Sequence, residues 1–431
     1  MSGNLKARLG FIRSTRESHG EVSPPSDAAA GSDILASWPG WTEAGYMTLK
    51  REIIPETPLA FGPGFPRALA IVIPDLAPHL LKAESAKPEE LLFFDLETTG
   101  LSGGAGTLAF LAAFGQLVNG RLVITQYLLL DYPGECDFVE RITEEISRSG
   151  TPILVTYNGK SFDSQILNNR CLMKGIKVPA YFHADLLHPA RRLWKNILPD
   201  CSQATIETSI LGLDRTGDIP GALAPEIWFS FLKNNDNRDL LGICDHNKKD
   251  IIGLVHLFFA MKEIAALTTD SAGINGENQK DAKKYVYDEE ALALAWDRAL
   301  KKNPAAHGED DIKLGNELLE KAAKKGWNRA AFVLGLNYFN EGLYREGRQF
   351  LQKIVKDNTV DLESRNNPGA PLKARAYKAL AIDAEWRLRD NELALDYTSR
   401  ALALEGLSGG FMGDLEKRKL RLTEKKRIGG S

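Results

Sequence analysis

The chain has 431 residues, 43% of them hydrophobic and 26% charged, with a formal net charge of −3. That length calls for two domains, each with its own core, and the charge balance confines any nucleic-acid surface to a local basic patch. Cys136, Cys171, Cys201 and Cys244 stand far apart without a CxxC pair, which argues against a zinc or thioredoxin-type site and for a reducing, cytoplasmic compartment; no apolar leader or run of ~18 apolar residues points to a membrane.

In chain order, residues 1–36 read as a disordered arm, rich in Ser, Gly, Pro and Ala from 14 onward. Residues 37–87 form a proline-broken extension, including the strand-like ALAIVIPDL at 68–76, expected to pack on the following domain. That domain covers 88–267. Strand-like runs at 91–97, 107–117 and 121–130, separated by Gly-rich or Asn-Gly turns, make a β-meander. A helix at 135–148 follows, then a strand at Ile153–Tyr157, the Asn158-Gly159 turn, a helix containing Asp163, a strand at 181–186 and helical segments over 188–267. The order suggests a mixed α/β sheet of the ribonuclease H type.

Residues 268–283 are polar and aperiodic, hence a linker, and 284–431 read as all-helical. Two amphipathic helices over 374–404 break at Arg389-Asp390-Asn391 and carry small residues where they must meet. A second unit with the same rhythm spans 329–356 around the Gly342 turn, and 289–302 looks like part of a third. The pattern resembles a tetratricopeptide repeat; a generic helical bundle is the plainer reading. The tail from Lys417 to Arg427 has seven Lys or Arg in eleven positions, a solvated helix end or a phosphate-contacting patch.

Four carboxylates in three separate blocks carry the chemistry: Asp95 and Glu97 in LLFFDLETTG, Asp163 in YNGKSFD and Asp250 in HNKKDIIGL. The i, i+2 acids project from one face at the end of a buried strand. Asp250 shares a helical stripe with Leu254, Leu257, Phe258 and Met261. Buried unpaired charge costs several kcal/mol, and a bound divalent cation is the commonest remedy for a cluster. Hard oxygen donors without Cys or paired His point to two magnesium or manganese ions, as in phosphodiester hydrolysis. His246 lies four residues before Asp250 on the same face, placed to act as general base on the attacking water.

DLETTG, Asn158-x-x-x-Phe162-Asp163 and the block ending at Asp250 resemble the three motifs of the DEDD superfamily of 3′-to-5′ exonucleases. LLFFDLETTGLSGGAGT, VTYNGKSFDSQIL, HADLLHPARRLW, GDIPG and HNKKDI are similar to the ribonuclease H-like domain of the bacterial YprB-type family. That resemblance spans about 88–265, and a helical-repeat tail fits it too. It implies Asp95, Glu97, Asp163 and Asp250 as metal ligands, Thr98, Thr99 and Leu101 lining the pocket for a terminal nucleotide, and Asn158 beside it. The family carries Tyr-x3-Asp or His-x4-Asp in the third motif, whereas here the spacing is His246-x3-Asp250. The histidine is thus a base or, alternatively, a neighbouring substrate contact.

Arg191, Arg192 and Lys195 follow a strand end, where they would meet substrate phosphates or make surface pairs. Tyr157 would stack on a base or simply pack. Asp185 would join the acids or, more in keeping with its place, serve hydrogen bonding. His183 and His188 with Asp185 converge poorly for zinc. Gly159-Lys160-Ser161 lacks the first glycine of a phosphate loop, because position 154 is leucine. The expectation is a metal-dependent 3′-to-5′ exonuclease acting on a DNA or RNA 3′ end, with a protein partner for the repeats. The alternative is a nucleic-acid-binding or adaptor protein working mainly through its repeat surface.

Overall fold

The computed structural model describes residues 38–56, 64–80, 87–100, 106–148, 150–234, 237–270, 285–304, 307–357 and 371–429. Its first part comprises β1 (Trp41–Gly45), β2 (Thr48–Ile53), α1 (Leu69–Val72), α2 (Ala77–Leu80), β3 (Leu91–Thr98), β4 (Ala109–Val118) and β5 (Arg121–Leu129). Then come α3 (Glu135–Ser147), β6 (Ile153–Thr156), α4 (Asp163–Lys174), β7 (Phe182–Asp185), α5 (Leu187–Trp194), α6 (Gln203–Ile206), α7 (Ala224–Asn234) and α8 (Leu240–Asp270). The seven strands form one sheet in the order β1-β2-β5-β4-β3-β6-β7. β3, β6 and β7 are parallel and the other pairs antiparallel. Asn119 and Gly120, both at positive φ, make the tight β4–β5 hairpin turn.

Two expectations need correction in the N-terminal extension. Residues 41–53 do more than pack on the sheet, because β2 pairs with β5 and β1 with β2, so they enlarge it. The run 68–76 is helical and 3₁₀, with Leu69, Ile71, Val72 and Ile73 all buried. A short apolar run buried on every side has no period, so sequence could not separate strand from helix. The linker also begins later than residue 268, since α8 continues to Asp270. The arm at 1–36, and most of the linker, lie outside the described residues.

The period of two on β3 divides the core. Leu92, Phe94 and Leu96 join α3, α4 and α7 on one face, while Leu91 and Phe93 join α8 on the other. The helical part stacks antiparallel hairpins: α9 (Glu289–Lys302) with α10 (Glu309–Lys324), α11 (Asn328–Asn340) with α12 (Tyr344–Lys356), and α13 (Leu372–Asp383) with α14 (Asn391–Leu402). α15 (Gly409–Gly429) packs on α14. The run 289–302 is therefore half of a complete hairpin. The basic tail is tied down: Arg418, Arg421 and Lys425 all pair with the buried Glu385 carboxylate, and Lys426 pairs with Glu392.

The helical part shares a core with the sheet. Leu292, Ala295 and Trp296 of α9 belong to the same apolar cluster as Trp194 and Phe258, and Trp194 Nε1–H donates to the Val286 carbonyl at 2.8 Å. Trp296→Ala is expected to cost about 3–5 kcal/mol, the usual loss for a fully buried indole. Urea denaturation monitored on both halves should show them weakened together; an unchanged transition for the sheet would contradict the shared core. Among the described residues no helix is long and apolar enough to cross a membrane.

Candidate functional site

On β3 the acids begin where the apolar packing stops. Leu91 and Phe93 lie under α8, with Phe93 edge-on to Phe258 at 5.8 Å. Asp95 and Glu97 continue that face toward the strand end. α8 runs antiparallel across it, so that its earlier residues lie over the acids, and Asn247 Nδ2 donates to Asp95 Oδ2 at 2.7 Å. His246 Nε2 is 3.3 Å from Asp250 Oδ2 and 4.0 Å from Glu97 Oε1.

Asp163 arrives from the neighbouring parallel strand. β6 pairs with β3 at Phe93↔Val155, so both carboxyl ends open on one side, where ligand crevices of such sheets lie. After β6 the chain turns through Asn158, at φ +65°, and Gly159, whose added Cβ would lie 2.4 Å from Thr156 Oγ1. Asp185 holds this turn by accepting the backbone N–H of Asn158 at 2.9 Å and of Lys160 at 3.0 Å. It also accepts from Leu187 at 3.0 Å. Asp163 opens α4, is 5% exposed and accepts the Leu96 backbone N–H.

Burial dominates the electrostatics. It pushes the Asp163 carboxyl up to about 7, against the pull of backbone N–H groups and with repulsion from Asp185. It raises Asp95 well above the usual aspartate range, helped by Asp250 and Asp163. Glu97 rises for the same reason, with Asp95, Asp250 and Asp163 adding to burial. Asp95, Glu97 and Asp163 thus resist ionising until a positive charge joins them.

Part of that charge is built in. Arg215 reaches Glu207 Oε2 at 2.5 Å, Asp250 Oδ1 at 2.5 Å and Asp218 Oδ2 at 2.8 Å. Burial opposes ionisation of Asp218, yet the hydrogen bonds from Arg215 and His246 hold it below the ordinary aspartate value. An ionised Asp218 only accepts, so His246 Nδ1, 2.9 Å away, carries the proton and donates. Nε2 is then left facing two carboxylates.

These donors fit a divalent cation. Glu97 is 9% exposed, and among the described residues the one basic side chain within 4.0 Å of its carboxylate is His246. One ligand atom each from Glu97, His246 and Asp250 lies within 4.8 Å of the others. Oxygen donors from Asp95, Glu97, Asp163 and Asp250 would suit magnesium or manganese, and the imidazole leans toward manganese.

The remaining sequence candidates divide. Thr98 is buried and donates to the Gly100 carbonyl at 3.0 Å; Thr99 accepts from Leu108 N–H at 3.0 Å. Asn158 and Arg191 are exposed near the turn and on α5. Leu101 lies outside the described residues. Arg192 is partly buried, and its guanidinium donates to the Ile71 carbonyl at 2.9 Å, bracing α1. Tyr157 packs, its hydroxyl donating to the Cys201 carbonyl at 2.5 Å. His183 is taken up by Thr156 at 2.8 Å and Ser164 at 3.2 Å, and His188 is exposed, which removes the zinc reading. Sequence reasoning missed Asn247, Asp218, Arg215 and Glu207. Asn247 lies in HNKKDI and Asp218 in GDIPG, blocks that carried the resemblance; nothing local marks the others, which meet only in space.

A match to the RNase_H superfamily, RNase_H_2, spans residues 92–262. The uncharacterized protein YprB of Bacillus subtilis (strain 168) is 38% identical over 188 residues, 43% of this chain and 45% of that protein. The chain therefore matches less than half the length of this relative. Among solved structures, the family B DNA polymerase from the hyperthermophilic archaeon Pyrobaculum calidifontis aligns with TM-score 0.34 and 13% identity, over 51% of this chain and 30% of that one. The match falls on the mixed sheet and α8, which together make a ribonuclease H-like domain.

Proposed function

We propose that the protein is a metal-dependent 3′-to-5′ exonuclease that hydrolyses phosphodiester bonds by a two-metal mechanism. The observation that supports this reading is the grouping of Glu97, His246 and Asp250 within 4.8 Å of one another, with Asp95 and Asp163 near enough to act on these acids electrostatically. Direction of attack rests on the resemblance of the three motif blocks to 3′-to-5′ exonucleases. Divalent cations held by the four carboxylates would polarise the scissile phosphate and favour ionisation of the attacking water. His246, its Nδ1–H fixed on Asp218, presents Nε2 to take up that water's proton. By the same resemblance Thr98, Thr99 and Asn158 would line the place for a terminal nucleotide, and exposed Arg191 would offer a phosphate contact. The helix hairpins are read as tetratricopeptide-like repeats that offer a surface to a protein partner. The four unpaired cysteines fit a reducing cytoplasm.

The test is digestion of 5′-labelled single-stranded DNA and RNA by the purified protein, with magnesium or manganese against EDTA and with Asp95→Ala as control. A metal-dependent ladder shortening from the 3′ end supports the proposal and chooses the sugar. Cleavage of circular substrates would make it an endonuclease. Absence of cleavage by folded, metal-loaded protein would shift the function to the binding or adaptor reading.

A further inference from the structure

Asp95 is held by a line of three side chains that begins on the N-terminal strand β2. Arg51 Nε donates to Gln126 Oε1 at 2.6 Å. Gln126 Nε2 donates both to Asn247 Oδ1 at 2.8 Å and to the Cys244 carbonyl at 2.9 Å. Asn247 Nδ2 then donates to Asp95 Oδ2. Gln126 and Asn247 are both 0% exposed, so water does not reach either amide.

The line has a direction. An amide side chain is nearly symmetric in shape, and either end of Asn247 would fit against Asp95. Arginine, however, has only donors, and a backbone carbonyl only accepts. Arg51 on one side and Cys244 on the other therefore lock Gln126 with its oxygen outward and its nitrogen inward. That nitrogen forces the Asn247 oxygen toward it, and the Asn247 nitrogen toward Asp95. Arg51 is itself fixed by stacking over Trp41 at 4.8 Å and by Asp245 at 3.4 Å.

We infer that Arg51, Gln126 and Asn247 are positioning residues which together guarantee that Asp95 receives a hydrogen-bond donor on Oδ2, fixing its carboxylate for a divalent cation. The extension at 41–53 is thereby part of the site's support. The inference rests on the metal-site reading above, and its test reads metal binding separately from cleavage.

Gln126→Glu keeps the size and the Arg51 partner but removes both inward donors, and its second oxygen competes with Asp95 for the Asn247 nitrogen. Asn247→Ala removes the last donor outright. Manganese affinity of the full chain, by titration calorimetry, should fall about 10- to 100-fold in each variant, the usual cost of losing a partner of a metal ligand. On the nucleic acid that the wild type cleaves, kcat should fall while KM stays within about threefold. Because both act through one line, the double variant should be no weaker than Asn247→Ala alone, whereas independent packing damage would add. Gln126→Met, neutral and unable to donate, guards against a Glu variant that fails to fold and should lose less affinity than Asn247→Ala, because Asp95 still draws the Asn247 nitrogen. Wild-type manganese affinity in these variants, additive losses, or no manganese binding by the wild type would each overturn the inference. Lost affinity with no cleavage by the wild type would keep the relay and dismiss the nuclease.

Discussion

Asp163→Asn should abolish nuclease activity while raising the melting temperature of the metal-free protein at pH 8. The two effects share one cause. Asp163 is a metal ligand in the proposed reaction, and losing one from a two-metal site commonly removes several orders of magnitude in rate. Without metal the same carboxylate is a burden, because burial pushes it up to about 7 while in the unfolded chain it titrates near the ordinary aspartate value of about 4. The folded state thus binds more protons than the unfolded state between those values. Stability is complete below about pH 4, declines as pH rises toward 7 and stays low above it. At about 1.4 kcal/mol for each unit, the asparagine should recover a few kcal/mol at pH 8 and little at pH 4. Asp95 and Glu97, also raised by burial and by their neighbours, steepen the same decline in the wild type. Adding manganese should reverse it for the wild type and much less for the variant. Thermal melts of both proteins across pH 4–8, with and without manganese, decide the matter. A variant less stable than the wild type at pH 8 would show that Asp163 serves the fold and not the ion.

Arg215→Met should be the most damaging single change outside the proposed ligands. The guanidinium spans Glu207, Asp218 and Asp250, and the Glu207 side chain is only 1% exposed. Breaking a buried ion pair from one side leaves the partner's charge uncompensated and costs about 3–5 kcal/mol. Here three carboxylates lose their common cation. Asp218 would also loosen its hold on His246, so activity should fall beyond what the loss of fold explains. Arg215→Lys should restore only part of this, since one ammonium cannot reach three acceptors as a planar fork does. Urea denaturation with and without manganese is the measurement. Because an ion at the acids offsets some of the missing charge, manganese should stabilise Arg215→Met more than it stabilises the wild type. A variant that unfolds at the wild-type urea concentration would mean that the three acids find other partners.

The sheet was legible wherever a pattern of two met a turn. The alternation through Leu91–Glu97 and the Asn119-Gly120 hairpin placed β3 to β5 to within a few residues. The helical hairpins over 329–356 and 374–404 followed from their apolar stripes and glycine or asparagine breaks. Periodicity failed at 68–76, where all neighbours are apolar. Strand β2 was hidden because its pairing with β5 joins residues far apart in the chain, with no local signature. The Arg192 hydrogen bond to Ile71 was invisible for the same reason.

By itself the sequence determined that two acids share a strand face, that a third belongs to a helix after an Asn-Gly turn, and that a fourth lies one helical turn beyond a histidine. These follow from local periods, which short-range sterics enforce. Only the tertiary structure decided that α8 crosses β3 antiparallel, so that its polar turn covers the acids and its apolar turns cover Leu91 and Phe93. It alone supplied Arg215, Asp218 and the line from Arg51 to Asp95. Such partners come from elements distant in the chain, and the requirement that every buried charge and amide find one is met in space, where no spacing rule along the sequence records it.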